Sequence, residues 1–259
     1  MCATPANKYR MDLRTLFEDE ESDRAERLQA VIAFNQISGW LSDHEESLPD
    51  HMMQVDLWGE RGFALTPHML HLDTMFPNIV FLFMPKSKTD VGGFEPVASL
   101  ATKGNQFFLI VRCLLNENDP KYLPDRFRVG AKKSFIHEFI HYVLRMKTGP
   151  LGQDTVATFA DKGPEAYFNH PDETNAYYQE AAHEAVEIAR MLQREVPVSA
   201  TQLNAKTTPE LVRWFKARCF DKDFMEWANS KTMRALDKRL ARLIDTTIRP
   251  IWATKPPVT

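Results

Sequence analysis

Cysteine is scarce in this chain. The three present, Cys2, Cys113 and Cys219, are odd in number and far apart. That spacing excludes a disulfide framework and a cysteine-based metal site, and it suits a reducing compartment. Neither sign of charge is in excess: 32 Lys and Arg against 35 Asp and Glu give a net charge of −3. Nucleic acid and anionic membrane surfaces are therefore not expected partners. No run approaches the ~18 consecutive apolar residues that would mark a membrane span. Met1–Arg10 lacks the apolar stretch of a secretory signal, so a cytoplasmic protein is expected. There is no internal repeat and no low-complexity tract. What remains, 44% hydrophobic and 26% charged residues, is the composition of an ordinary globular protein. The length suits one large domain or two small ones.

The informative stretch is Lys132 to Lys147, KKSFIHEFIHYVLRMK. Phe135, Ile136, Phe139, Ile140, Val143 and Leu144 predict a helix apolar nearly all round, and so buried. Within it lies His137-Glu138-Phe139-Ile140-His141, an H-E-x-x-H motif. Residues four apart on a helix are offset by only about 40° around its axis, so the two imidazoles project side by side and can share one metal ion. Glu138, one step round, is placed to reach a water beside that ion. Burying two histidines and a glutamate is costly unless they are satisfied, and a shared cation satisfies them together. The competing explanation is a helix whose histidines bond to backbone carbonyls and whose Glu138 pairs with a neighbouring Arg or Lys.

A helical pattern spans about Asp12–Asp43, with Ser38-Gly39 expected to bend or end it. Residues 51–77 have no clear period, although Thr66-Pro67 suits a helix start. His68 and His71 in that stretch are expected to be half-exposed packing residues. Three strands follow: Asn78–Met84, Pro96–Ala101 and Gln106–Leu115, the last two joined by a hairpin. Asn116–Arg128 reads as a surface loop, and so does 148–168. A helix opens at Pro171 and runs to about Glu195. Two more cover Thr208–Phe220 and Asp223–Thr247. His183-Glu184 begins a second H-E pair, but Glu187 stands where a histidine is needed, so that pair is expected to face solvent.

A catalytic zinc site needs a third protein ligand and one open position. Glu173, in the first turn of the Pro171 helix, is the chosen candidate. The competing reading is the third residue of a cap, with His170 at the N-cap and Pro171 at N1. Asp154, Asp161, Glu165, His170 and Glu180 compete with it, and Asp154 is the strongest of these. Tyr177, one turn beyond Glu173, is the first candidate to donate a hydrogen bond to an oxyanion, ahead of Tyr178, Tyr167 and His170. It could also be an ordinary packed aromatic. Asn175 is expected to orient Glu173 or a histidine. Strand Gln106–Leu115 is a candidate sheet edge for pairing with an extended substrate.

HEFIH followed by Tyr167-Phe168-Asn169-His170-Pro171-Asp172-Glu173-Thr174-Asn175-Ala176-Tyr177 resembles zinc metallopeptidases encoded by tailed bacteriophages. More distantly the pair is similar to gluzincin peptidases, which combine an H-E-x-x-H helix with a glutamate on the next helix. The E-x-N-A-aromatic segment also resembles the ImmA/IrrE-like metallopeptidases. The likeness covers about residues 130–182. It implies Zn2+ held by His137, His141 and Glu173, with Glu138 as general base in hydrolysis of a protein or peptide substrate. The fold class expected is α+β: a mostly helical, zincin-like fold with a small three-stranded sheet packed on the motif helix. The organisation expected is one compact unit made of a helical segment over 1–50, the catalytic core over 51–195 and a helical segment over 196–259. The location expected is the cytoplasm; for a phage-encoded protein it is the host cytoplasm or the virion. The alternative from another class is a non-catalytic, zinc-stabilised binding or structural protein, such as a particle component or host-factor binder.

Overall fold

The computed structural model describes residues 20–55, 60–72, 76–83, 97–103, 106–113, 120–148 and 163–254. The fold is α+β, mostly helical with a small five-stranded sheet. The chain divides into two compact units, Glu26–Gln153 and a second made of Met1–Ala25 with Asp154–Thr259.

The Glu26–Gln153 unit holds the sheet. Its strands are β1 (Met53–Val55), β2 (Glu60–Leu65), β3 (Asn78–Phe83), β4 (Val97–Lys103) and β5 (Gln106–Cys113), in spatial order β1-β2-β3-β5-β4. All neighbours pair antiparallel except β3 and β5, which run parallel with Asn78 opposite Phe108. Five strands replace the three expected. β1 and β2 fall in the stretch without a clear period, where Arg61 breaks the apolar face of Phe63 and Leu65 and Gly62 adds no side chain to the other face. No helix starts at Pro67 either. The chain makes tight turns there, and His71 adopts φ 54°, a left-handed conformation that no helix continues through. β5 is not an edge strand as expected. It lies between β3 and β4, and the two edges are β1 and β4.

Helices cover one face of this sheet. Helix α1 (Glu20–Asp43) runs through Ser38-Gly39 without a break. It sends Phe34, Ile37 and Leu41 into a core shared with Phe63, Phe81, Leu109 and Val111 from the strands. The expected surface loop Asn116–Arg128 is largely helical over its described part. Leu123–Arg126 leads through a π-turn, Phe127–Ala131, into the motif helix α2 (Lys132–Thr148). The physical reason is a stripe four residues apart, Leu123, Phe127, Ala131 and Phe135, all fully buried. The charges and prolines around it hide the stripe from inspection. Phe34, Phe127 and Phe135 pack ring on ring, with Phe34 and Phe127 stacked at 4.8 Å. The motif helix is thereby fixed to both α1 and the sheet.

Over its described residues the second unit is helical. Residues 163–168, expected to be loop, form a helical turn and a half. They lead to α3 (Pro171–Glu195), α4 (Pro197–Asn204), α5 (Thr208–Cys219), α6 (Lys222–Trp227), α7 (Ser230–Leu243) and α8 (Arg249–Ala253). Helix α3 is lined by Ala176, Ala181, Ala182, Ala185 and Ala189, all buried, and it packs with α4, α5, α7 and α8. The small side chains permit close approach of those helices. The single helix expected over Asp223–Thr247 is divided at Ala228-Asn229. Asn229 caps α7 by accepting from the N–H groups of Lys231 and Thr232 at 3.0 Å each. Among the described residues no helix is long and apolar enough to cross a membrane.

Candidate metal centre

On α2 the spacing of the two histidines does what helical geometry requires. The rings of His137 and His141 face one another with their Nε2 atoms 3.2 Å apart, and only 7% and 6% of the two residues is exposed. Two nitrogens on one tetrahedral zinc ion, each about 2.05 Å from it, would lie about 3.3 Å apart. The pair therefore already has the spacing of two metal ligands. A single N–H···N hydrogen bond also fits this distance, which is the ordinary alternative for the pair.

Glu138 is half-buried, and its Oε2 accepts a hydrogen bond of 2.9 Å from the backbone N–H of Leu100 on β4. One helical turn earlier, Ser134 Oγ accepts from the N–H of Ala98 at 3.2 Å and donates to the carbonyl of Ala131. The alternative in which Glu138 pairs with an Arg or Lys is not what this carboxylate does.

Glu173 owes its place to the start of α3. His170 is extended at φ −66°, ψ 137°, and Pro171 occupies the first turn with its φ preset for helix. The imidazole Nδ1 of His170 accepts from the N–H of Asp172 at 3.3 Å, so His170 serves as the cap. Glu173 follows and is 4% exposed. His137, His141 and Glu173 form a buried group whose candidate ligand atoms all lie within 4.8 Å of one another, able to hold a metal ion. Two imidazole nitrogens and one carboxylate oxygen are a donor set that suits zinc and other first-row divalent ions. A buried carboxylate is costly without positive charge nearby, and a cation supplies that charge.

The other candidates are placed as follows. Asp154 and Asp161 lie outside the described residues. Glu165 is exposed, and Glu180, although buried, is not in the group. His183 and Glu184, expected to face solvent, are instead half-buried. The ring of Tyr177 stacks on Phe224 at 4.6 Å and lies 5.6 Å from that of Phe168. This packing by itself accounts for an aromatic residue there. Tyr178 is buried under the guanidinium of Arg239, 3.6 Å from its ring, and its hydroxyl donates to the Arg239 carbonyl at 3.4 Å. Asn175 Oδ1 accepts from Arg239 at 2.9 Å. Asn175 thus ties the first turns of α3 to α7, rather than bonding to Glu173 or a histidine as expected.

Sequence reasoning missed the Leu100 N–H and Ser134. A backbone donor has no letter in a sequence. Ser134, however, sits four residues before Glu138, on the same face of the helix, and that spacing was legible. No family model, no curated protein and no solved structure matches this chain.

Proposed function

We propose that this protein is a zinc-dependent metallopeptidase. The observation that carries the reading is the buried pair of imidazole nitrogens, 3.2 Å apart on one helix, grouped with the carboxylate of Glu173. His137, His141 and Glu173 would hold the ion. When bound, zinc lowers the pKa of a coordinated water to about 7 and polarises the carbonyl to be attacked.

The remaining work falls to Glu138. It follows His137 directly on α2 and is half-buried, open enough to meet water and substrate. Its carboxylate takes a proton from the attacking water as the water oxygen bonds to the peptide carbonyl carbon. When the C–N bond breaks, Glu138 returns that proton to the leaving nitrogen. The site supports hydrolysis of protein or peptide amide bonds, because the proton needed by the departing amine is the one the attacking water gives up.

The test is Glu138→Gln. The amide keeps the volume and can still accept from the Leu100 N–H through its carbonyl oxygen, but it cannot carry the proton. We expect stoichiometric zinc to be retained and cleavage of unfolded casein to fall by about 10²–10⁴-fold, the usual contribution of general acid–base catalysis. Undiminished cleavage would remove Glu138 from the mechanism. A zinc-loaded wild type that cleaves nothing would turn the reading to a zinc-stabilised binding protein.

A further inference from the structure

One of the two edge strands of the sheet is β4, which among the described residues pairs on one side only, with β5. In an antiparallel pair, alternate N–H groups point into the ladder and away from it. At an edge the outward ones usually meet water. Here two successive outward donors are both taken by the motif helix: Ala98 N–H by Ser134 Oγ at 3.2 Å and Leu100 N–H by Glu138 Oε2 at 2.9 Å.

We propose that the backbone N–H of Leu100 is a positioning group for Glu138, with Ser134 as the pin that sets the register. The proposal rests on the peptidase reading for its catalytic consequence. The register follows from two repeats that nearly coincide. Helix α2 advances about 6.0 Å from Ser134 to Glu138, and β4 advances about 6.7 Å from Ala98 to Leu100. The two elements run in the same direction, so side chains one helical turn apart meet donors two strand residues apart. The mismatch of about 0.7 Å per step limits the match to a short stretch.

The consequence for Glu138 is orientation. A glutamate side chain has three torsions to fix, and a half-buried one would sample several rotamers. With Oε2 held by Leu100, Oε1 is left to handle the proton; it accepts no hydrogen bond from the described residues. A second consequence concerns substrate. An extended peptide adding to this edge at Leu100 would displace Glu138 from its donor. A peptide therefore cannot take the N–H of Ala98 or Leu100 without displacing Ser134 or Glu138.

Leu100→Pro tests this directly. Proline removes the N–H, and because that N–H points away from β5 the ladder is not broken. Leu100→Ala keeps the N–H and trims only the side chain. On a quenched fluorogenic peptide cut by the wild type, Leu100→Pro should lose about ten- to a hundredfold in kcat with KM and zinc content unchanged. Leu100→Ala should stay within about twofold of the wild type. A second arm needs neither activity nor the folding of the proline variant. Hydrogen exchange of the Leu100 amide should be at least about tenfold faster in Glu138→Ala than in the wild type, with the ladder amides Ser99 and Ala101 unchanged. Equal kcat for Leu100→Pro and the wild type, equal loss in Leu100→Ala, or unchanged Leu100 exchange each overturns the proposal. If the wild type cuts no peptide at all, the peptidase reading fails, and the exchange arm still decides the contact.

Discussion

Gly62 gives the sharpest physical prediction. It sits in β2 opposite Leu82 of β3. A Cβ added there would lie 1.8 Å from the carbonyl oxygen of Phe81, 2.9 Å from its carbonyl carbon and 3.2 Å from the Leu82 Cα. These are all backbone atoms, so no side chain can rotate away. Ordinary contact begins near 3.4 Å, so the strands must part by 3.4 − 1.8 = 1.6 Å at this point. Such a displacement breaks about two ladder hydrogen bonds, worth about 1 kcal/mol each. It also strains the packing of Phe63 and Leu65, for which overpacking typically costs about 1–3 kcal/mol. Gly62→Ala should therefore destabilise the fold by about 3–5 kcal/mol, read from urea unfolding followed by circular dichroism. Because β2 is separated from β4 by β3 and β5, zinc affinity of the folded variant should stay within about threefold of the wild type. A variant within about 0.5 kcal/mol of the wild type would refute the close-approach argument.

Two further predictions follow. Cys113 is fully buried, and burial pushes its thiol well above the ordinary range; Cys219 is buried as well. Of the three cysteines in the sequence, at most Cys2 should react with a thiol reagent in the native protein, and all three after denaturation. Rapid reaction of a second thiol without unfolding would contradict the burial. Glu173→Ala should weaken zinc binding by at least about tenfold relative to Asp154→Ala in a chelator competition. The reverse order would make Asp154 the third ligand.

The elements that were legible are those whose letters carry their own geometry. The motif helix could be read because its histidines and apolar residues recur at helical spacing. The start of α3 was marked by Pro171, whose fixed φ suits the first turn. The division at Asn229 is written in a good capping residue, but the amphipathic pattern of Asp223–Thr247 continues across it and masks the break. The helix before the motif was obscured by Pro120, Pro124 and the charges around Leu123 and Phe127, residues that burial alone distinguishes. β2 was lost because Gly62 is there for close backbone approach, which leaves no side chain to count. The edge position of β4 depends on which strands pair, a long-range property that no local pattern contains. For the same reason no local pattern contains the contact of the Leu100 N–H with Glu138.

The central claim is that His137, His141 and Glu173 hold one metal ion. The most direct test is elemental analysis of purified protein, loaded with zinc and freed of excess metal, for the wild type and His137→Ala side by side. The account predicts one zinc per chain in the wild type and loss of that zinc in the variant, with circular dichroism showing both folded. Zinc retained at full stoichiometry in His137→Ala, or a folded wild type that takes up none, would contradict it.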